Sequence, residues 1–289
     1  MIPSAFEYVA PSSLAEATAF LAAHPDDAKL VAGGHSLIPL MKLRLAAPKY
    51  LVDLAHVPGL KGVKEVGGAI EIGALTTHYE VQSSSVIRER LPVLAETAAT
   101  IGDVQVRNRG TIGGSLAHAD PAADYPATIL ALDAEIEVSG RKGLRSIKAA
   151  DFFVDLLTTS LNADEVVTKI RIPLPLPGTG AAYEKFPHPA SRYAIVGVAA
   201  VVHLNANGTC ASAAIGVTGA GAKPERAAAA ERGLVGSQLD DAALQKAGVS
   251  AAEAIDPVGD IHASAEYRRH LVREFTVRAL RAAAERAKK

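Results

Sequence analysis

The residues with the most chemical content are two glycine pairs, Ala32-Gly33-Gly34-His35-Ser36 and Thr111-Ile112-Gly113-Gly114-Ser115, each flanked by apolar sequence that can hold it rigidly. Glycine has no Cβ, so a glycine pair can adopt left-handed conformations and turn successive backbone N–H groups toward one point, where an anion supplies the missing acceptors. One such concavity suits a phosphate. Two brought together suit the pyrophosphate of a dinucleotide, with Ser36, Thr111 and Ser115 adding hydroxyl donors. The alternative is that each pair is only a tight turn. Neither segment is a G-x-G-x-x-G between a strand and a helix, and no G-x-x-x-x-G-K-[ST] occurs, so neither a Rossmann domain nor a P-loop is indicated.

Other side chains offer weaker chemistry. His118 and Asp120 have the spacing of two metal ligands and Asp124 follows, but no further His or Cys cluster completes a coordination sphere, and no metal is assigned. Asp124 after Pro121 is equally suited to cap a helix. Arg107 and Arg109 precede Gly110, where positive charge favours a pyrophosphate; solvated surface arginines are the other reading. Cys210, the only cysteine, sits in the apolar run Thr209 to Ile215 and reads as a small buried residue. A [2Fe–2S] cluster needs a full set of thiolates, so electron chemistry on this chain requires an organic cofactor and any metal centre another polypeptide. No Ser/His/Asp or paired-carboxylate arrangement stands out, and no catalytic acid or base is assigned.

The elements that must position these residues are partly legible. Ser13 with Glu16 has the form of a capping box and opens a helix from Leu14 to Ala23; Lys29 to Val31 then reads as a strand delivering the first glycine pair. Pro39 forbids a long regular helix directly after it, and Tyr50 to Leu54 is the next strand, which closes a βαβ-like unit over 1–57. Gly62 to Val66 and Ala69 to Gly73 alternate across Gly67-Gly68 as a hairpin. Helical segments around Tyr79 to Gln82 and Leu91 to Thr100 lead to the second pair, taken as a loop, and Ala134 to Val138 and Val166 to Ile172 supply strands of a second unit over 58–175. The proline- and glycine-rich stretch from Pro173 to Gly180 marks a boundary. In 176–289, Ala194 to Leu204 and Cys210 to Val217 form a hairpin across Asn205 to Gly208. Arg226 to Leu234, Ala242 to Ala254 and Ala265 to Ala287, the last capped by Ser264, supply three helices.

Composition bounds the function. The chain of 289 residues, 49% hydrophobic and 21% charged, is long enough for two or three compact units. Thirty basic against thirty-one acidic residues, with no basic block, leave out the electrostatic footprint of a nucleic-acid binder. No apolar run reaches the roughly eighteen residues of a membrane span, and the N-terminus lacks a signal-peptide pattern, so a cytoplasmic protein with at most indirect membrane contact is expected.

The stretch from Ala32 to Arg44, with Thr111 to Pro121 and Asp124, resembles the FAD-binding medium subunit of the molybdenum hydroxylases, and within that family the carbon monoxide dehydrogenase branch. The likeness spans essentially the whole chain. It implies an α+β fold of the vanillyl-alcohol-oxidase (PCMH) type, two α/β FAD-binding subdomains followed by a C-terminal antiparallel sheet with three helices. It implies FAD bound without a covalent link, although His35 stands where distant flavoproteins of this fold attach the cofactor covalently. The cofactor-binding residues it implies are Ala32, Gly33, Gly34, His35, Ser36, Thr111, Ile112, Gly113, Gly114, Ser115, Asp124, Lys185 and Tyr193, the tyrosine set against the isoalloxazine. Its implied partners are a large molybdopterin subunit and a small [2Fe–2S] subunit, arranged as a dimer of heterotrimers, with quinone the expected external acceptor. The flavin subunit of a related N-heterocycle, aldehyde or purine hydroxylase is the alternative within the family; a self-contained flavin oxidoreductase and a non-catalytic nucleotide-binding module are the readings from other classes.

Overall fold

The computed structural model describes residues 2–289. Three larger sheets follow one another along the chain, with a small two-stranded one, Phe153–Asp155 against Thr158–Thr159, beside the second. The first is parallel, with Tyr50–Asp53 between Glu7–Val9 and Ala28–Val31. Helix Leu14–Ala23 crosses it, burying Ala17 and Leu21 against Val52 and Leu54. Ser13 caps that helix through Glu16 N, but the Glu16 carboxylate reaches back to the amide of Ser12 rather than Ser13, so the expected box closes one residue early. The strand Ala28–Val31 ends at the first glycine pair, and a six-residue helix, Leu37–Lys42, follows with Pro39 inside its first turns, where a missing N–H costs nothing.

The second sheet is antiparallel, in the order Val63–Val66, Ala69–Gly73, Val166–Pro173, Glu135–Gly140, Gly143–Lys148. Its first hairpin turns through Gly67 and Gly68, both at positive φ (55° and 74°), as the alternation predicts. Between Gly73 and Glu135 the chain leaves the sheet and forms a helical layer over it. Four features of this unit differ from the sequence reading. Ile112–His118 is a helix, not a loop; Asp124–Ala131 and Ser85–Arg90 are further helices; and Gly143–Lys148 is an added edge strand. Glycine disfavours helix by about 1 kcal/mol relative to alanine, which is why a Gly-Gly pair does not announce one.

The third sheet orders Thr179–Pro187, Ala194–Leu204, Cys210–Thr218 and the short edge Glu225–Arg226, all antiparallel. Val196, Val198, Ala200 and Val202 face a core made with helices Ala228–Leu234, Asp241–Ala254 and Ala265–Ala287, the last capped by Ser264 as expected. Ala199 and Val201 face the other way and meet Ala127 and Ala131 of helix Asp124–Ala131. Burial on both faces explains why Ala194 to Leu204 reads as an unbroken apolar run. The first of the three helices starts at Ala228, later than expected, because Glu225 and Arg226 pair with Val217 and Gly216 instead.

Candidate functional site

The two glycine segments meet. A Cβ on Gly33 would lie 2.0 Å from the carbonyl oxygen of Arg109, so Gly33 is what allows the first segment to press on the backbone leading into the second. A Cβ on Gly113 would lie 2.5 Å from the side chain of Ala74, and one on Gly110 would lie 2.5 Å from the His78 ring. Close backbone approach, not flexibility, is the use of these three glycines. Of the two pairs, only Gly34 occupies the left-handed region, at φ 74°; Gly113 and Gly114 are helical, which corrects the expectation of two left-handed loops.

A cleft of about 360 Å³ opens beside this contact, within the size range of small-molecule and cofactor sites. Ala32, Gly33, Gly34, His35, Ser36, Thr111, Gly113, Gly114, Ser115, Asp124 and Tyr193 all line it. Ile112 does not: its side chain is fully buried in the core of the second unit, and its amide donates to Thr76 O. Lys185 does not line the cleft either. Its Nζ lies behind the wall, 2.9 Å from the Asp124 carboxylate and 3.1 Å from Thr100 O. Arg107 spends its guanidinium on the carbonyls of Ile101 and Gly102, and Arg109 contributes a carbonyl rather than a charge to the contact with Gly33.

The amides of the two segments are in opposite states. In the second, Ile112 N donates to Thr76 O, Gly113 N to Ala74 O, Gly114 N to the Thr111 hydroxyl and Ser115 N to Thr111 O. None is left for a ligand. In the first, the amides of Gly33, Gly34, His35 and Ser36, none of them in a buried residue, have no acceptor among the described residues. All four residues line the cleft, and successive amides without a protein acceptor are donors an oxyanion can take up. His35 donates from Nδ1 to Gly33 O at 3.0 Å when that nitrogen carries the proton, which folds its ring back onto the segment.

Asp124 sits at the start of helix Asp124–Ala131, yet its side chain caps nothing. The Tyr183 hydroxyl donates to Oδ1 at 2.5 Å, and Lys185 takes the rest of the carboxylate. Asp124 and Lys185 are each about 5% exposed at the side chain; burial raises the Asp124 carboxyl and lowers the Lys185 ammonium, and their mutual attraction opposes both shifts. The helix cap reading and the direct Lys185 contact are thus both replaced by a buried bond between the second and third units. Thr218 reinforces it, its single hydroxyl proton shared between Pro121 O and Ala123 O at 2.6 and 2.7 Å.

His78, His118 and Asp120 line the cleft as well, outside the expected set of site residues. His78 lines the cleft beneath Gly110, and burial, with the charges of His35 and Arg107, lowers its pKa from 6.5 to about 4. Its Nδ1 has no partner among the described residues. The signal was local: Thr77 and Glu80 form a complete capping box that starts a helix at His78. Asp120 lines the cleft too, its Oδ1 accepting from Ala122 N, in the stretch that by resemblance runs along the flavin; no group of three or more His, Cys, Asp or Glu side chains is placed to hold a metal among the described residues. Tyr193, 42% exposed, stands at the edge of the cleft on the loop between the first two strands of the third sheet.

Comparison with known proteins bears on what such a cleft holds. Residues 4–175 match the family described as the FAD binding domain in molybdopterin dehydrogenase, and residues 181–283 match the CO dehydrogenase flavoprotein C-terminal domain. The chain is 43% identical over 289 residues to the carbon monoxide dehydrogenase medium chain of Afipia carboxidovorans, covering 100% of both proteins. It is 40% identical over 288 residues to the 6-hydroxypseudooxynicotine dehydrogenase complex subunit alpha of Paenarthrobacter nicotinovorans, covering 100% of this chain and 97% of that one. A chain in the crystal structure of carbon monoxide dehydrogenase from Hydrogenophaga pseudoflava, in a form lacking the Mo-pyranopterin moiety, superposes with a TM-score of 0.96 at 42% identity, over 99% of each chain.

Proposed function

Since the chain belongs to the family of FAD-binding subunits of the molybdenum-dependent dehydrogenases, we propose that it is the flavin subunit of a carbon monoxide dehydrogenase-like complex and relays electrons from partner iron–sulfur clusters to an external acceptor such as quinone. The observation that carries this reading is the run of amides without protein acceptors from Gly33 to Ser36, four residues that line the cleft. Those donors fit the pyrophosphate of FAD, and the hydroxyls of Ser36, Thr111 and Ser115 border the same space. The donor set demands no covalent link, and His35, turned back onto Gly33 O, serves to shape the segment. When bound, FAD supplies a redox centre able to accept electrons singly and release them in pairs.

The chain's own task is then to hold and orient. Gly33 to Ser36 bind the anion, Tyr193 covers the ring system from the third unit, and Asp124 with Lys185 ties that unit to the cleft wall. Three units at 1–57, 58–175 and 176–289 divide the work, with the cofactor lying where all three contribute. Asp120, Asp124 and Tyr193 lining one cleft with Gly33 and Gly34 support that division.

Partners are proposed as a large molybdopterin subunit and a small [2Fe–2S] subunit, in a dimer of such heterotrimers working in the cytoplasm. Among the described residues no helix is long and apolar enough to cross a membrane, so delivery to a membrane carrier requires diffusion or docking. Relatives named for carbon monoxide and for 6-hydroxypseudooxynicotine match at 43% and 40% identity, as expected if substrate is selected on another subunit. Carbon monoxide is favoured here by the close likeness from Ala32 to Arg44. The deciding measurement is the absorption spectrum and metal content of the complex captured through this chain from its own cells. Flavin with molybdenum and iron is the expected result; flavin alone would make the chain a self-contained oxidoreductase, and no flavin a non-redox module.

A further inference from the structure

The loop that presents Tyr193 runs between strands Thr179–Pro187 and Ala194–Leu204 and is closed by its own backbone at both ends: His188 N donates to Tyr193 O at 2.8 Å and Arg192 N to His188 O at 2.9 Å. Inside that frame one side chain supplies the acceptor. His188 Nδ1 accepts from Ala190 N at 3.3 Å and Ser191 N at 3.1 Å, and lies 3.1 Å from the Ser191 hydroxyl. That hydroxyl in turn accepts from Tyr193 N at 3.4 Å. A line of contacts therefore runs from the imidazole through Ser191 to the residue at the cleft.

Two further facts make this arrangement consequential. Arg192 sits at φ 61°, a left-handed conformation that costs a non-glycine residue about 1 kcal/mol or more and persists only when its surroundings enforce it. Tyr193 is 42% exposed, so burial alone does not hold its ring in place. The imidazole is braced in its turn by the ring of His262, edge-on with centroids 4.4 Å apart. The backbone of His262 is fixed by Asp260, which accepts from His262 N and Ala263 N and is paired with the buried Arg268 guanidinium.

We infer that His188 is a positioning residue for Tyr193: its Nδ1 lone pair locks the 188–193 loop and so sets the ring at the mouth of the flavin cleft. The inference rests on the flavin reading of that cleft. Because two amides point at Nδ1, the neutral ring carries its proton on Nε2. Replacement by alanine leaves the amides of Ala190 and Ser191 without their acceptor. Asparagine at 188 can accept from the same two amides, as Asn side chains do in Asx turns, and so can replace the lock without the ring.

The test uses the complex captured through this chain, with wild type, His188→Ala, His188→Asn and Tyr193→Ala compared. The first readout, independent of the flavin, is the rate of trypsin cleavage after Arg192, followed by mass spectrometry. Loss of the lock is expected to raise it about tenfold in His188→Ala while His188→Asn stays near wild type. The second is the fluorescence yield of the bound flavin, expected to rise in His188→Ala toward the value of Tyr193→Ala and to be restored in His188→Asn. Unchanged cleavage in His188→Ala, or cleavage in His188→Asn as fast as in His188→Ala, overturns the lock. Faster cleavage combined with a Tyr193→Ala flavin identical to wild type overturns instead the placement of Tyr193 on the flavin, and with it any positioning role.

Discussion

Around Gly33 and Gly34 the backbone passes through a left-handed residue and keeps four amides without acceptors; around Gly113 and Gly114 it is helical, and each amide from Ile112 to Ser115 is already bonded within the chain. Both segments need glycine because another backbone or side chain lies where a Cβ would go. The difference lies in what surrounds them. The second segment docks on Ala74 and Thr76, whose carbonyls take the amides of Gly113 and Ile112 while Thr111 takes those of Gly114 and Ser115, and continues through Pro121 and Asp124 into bonds with the third unit. The first has only the cleft in front of it. One glycine pair thus keeps its amides unbonded within the chain beside the cleft, and the other builds the wall of that cleft.

If that division holds, damage to the wall registers as lost folding stability and damage to the cradle as lost FAD affinity. The largest effect is expected from Asp124→Ala, which leaves the Lys185 ammonium buried without its partner. Removing one member of a buried pair costs about 3–5 kcal/mol, to be read by denaturant unfolding of the FAD-free chain. A variant with wild-type stability but weak flavin binding would instead assign Asp124 to the cradle.

Next in size is an acid effect at His78, whose ring packs beneath Gly110 and whose amide donates to Gly110 O. Its folded-state pKa is about 4 against an ordinary 6.5, so between those values the unfolded chain binds more protons. The stability due to the neutral buried ring is complete above 6.5 and is lost as pH falls toward 4, by about 3 kcal/mol from the 1.36 kcal/mol per unit relation. His78→Leu should flatten that part of the stability profile; an unaltered slope would mean other groups cause it.

Gly113→Ala pushes a methyl group into Ala74 and is expected to cost about 1–3 kcal/mol of stability. The fraction that folds should bind FAD as wild type does. Gly34→Ala is the smallest and sharpest contrast. Its penalty for a left-handed residue is about 1 kcal/mol, with a Cβ 3.0 Å from Ile38, and flavin titration should show affinity reduced about tenfold. Equal effects of these two substitutions on affinity would erase the distinction between cradle and wall.

Much of the architecture was legible because its causes are local. Ser13 and Ser264 cap helices whose first-turn amides are a few residues away, and the hairpins at Gly67-Gly68 and Asn205 to Gly208 follow from turn chemistry and alternation. The elements that escaped notice owe their form to distant partners. Helix Ile112–His118 contains two glycines that propensity counts against it; Thr111 caps it, and the close approach of Ala74 is what requires glycine at 113. Strand Thr179–Pro187 follows a proline-rich break and carries Tyr183 and Lys185 inward to a carboxylate contributed by another unit.

The site divides in the same way. Residue types and short spacings singled out both glycine segments, and the likeness of their flanks to a known family, not spacing, supplied the family and the candidates Asp124 and Tyr193. Which pair would keep its amides free, whether Asp124 would face a ligand or a lysine, and that Ile112 would leave the site were decided only in the folded molecule. A backbone donor is available or spent according to which carbonyl folding brings within hydrogen-bond reach, and the acceptors that matter here, on Ala74 and Thr76, adjoin the second segment only after the helical layer has packed over the sheet.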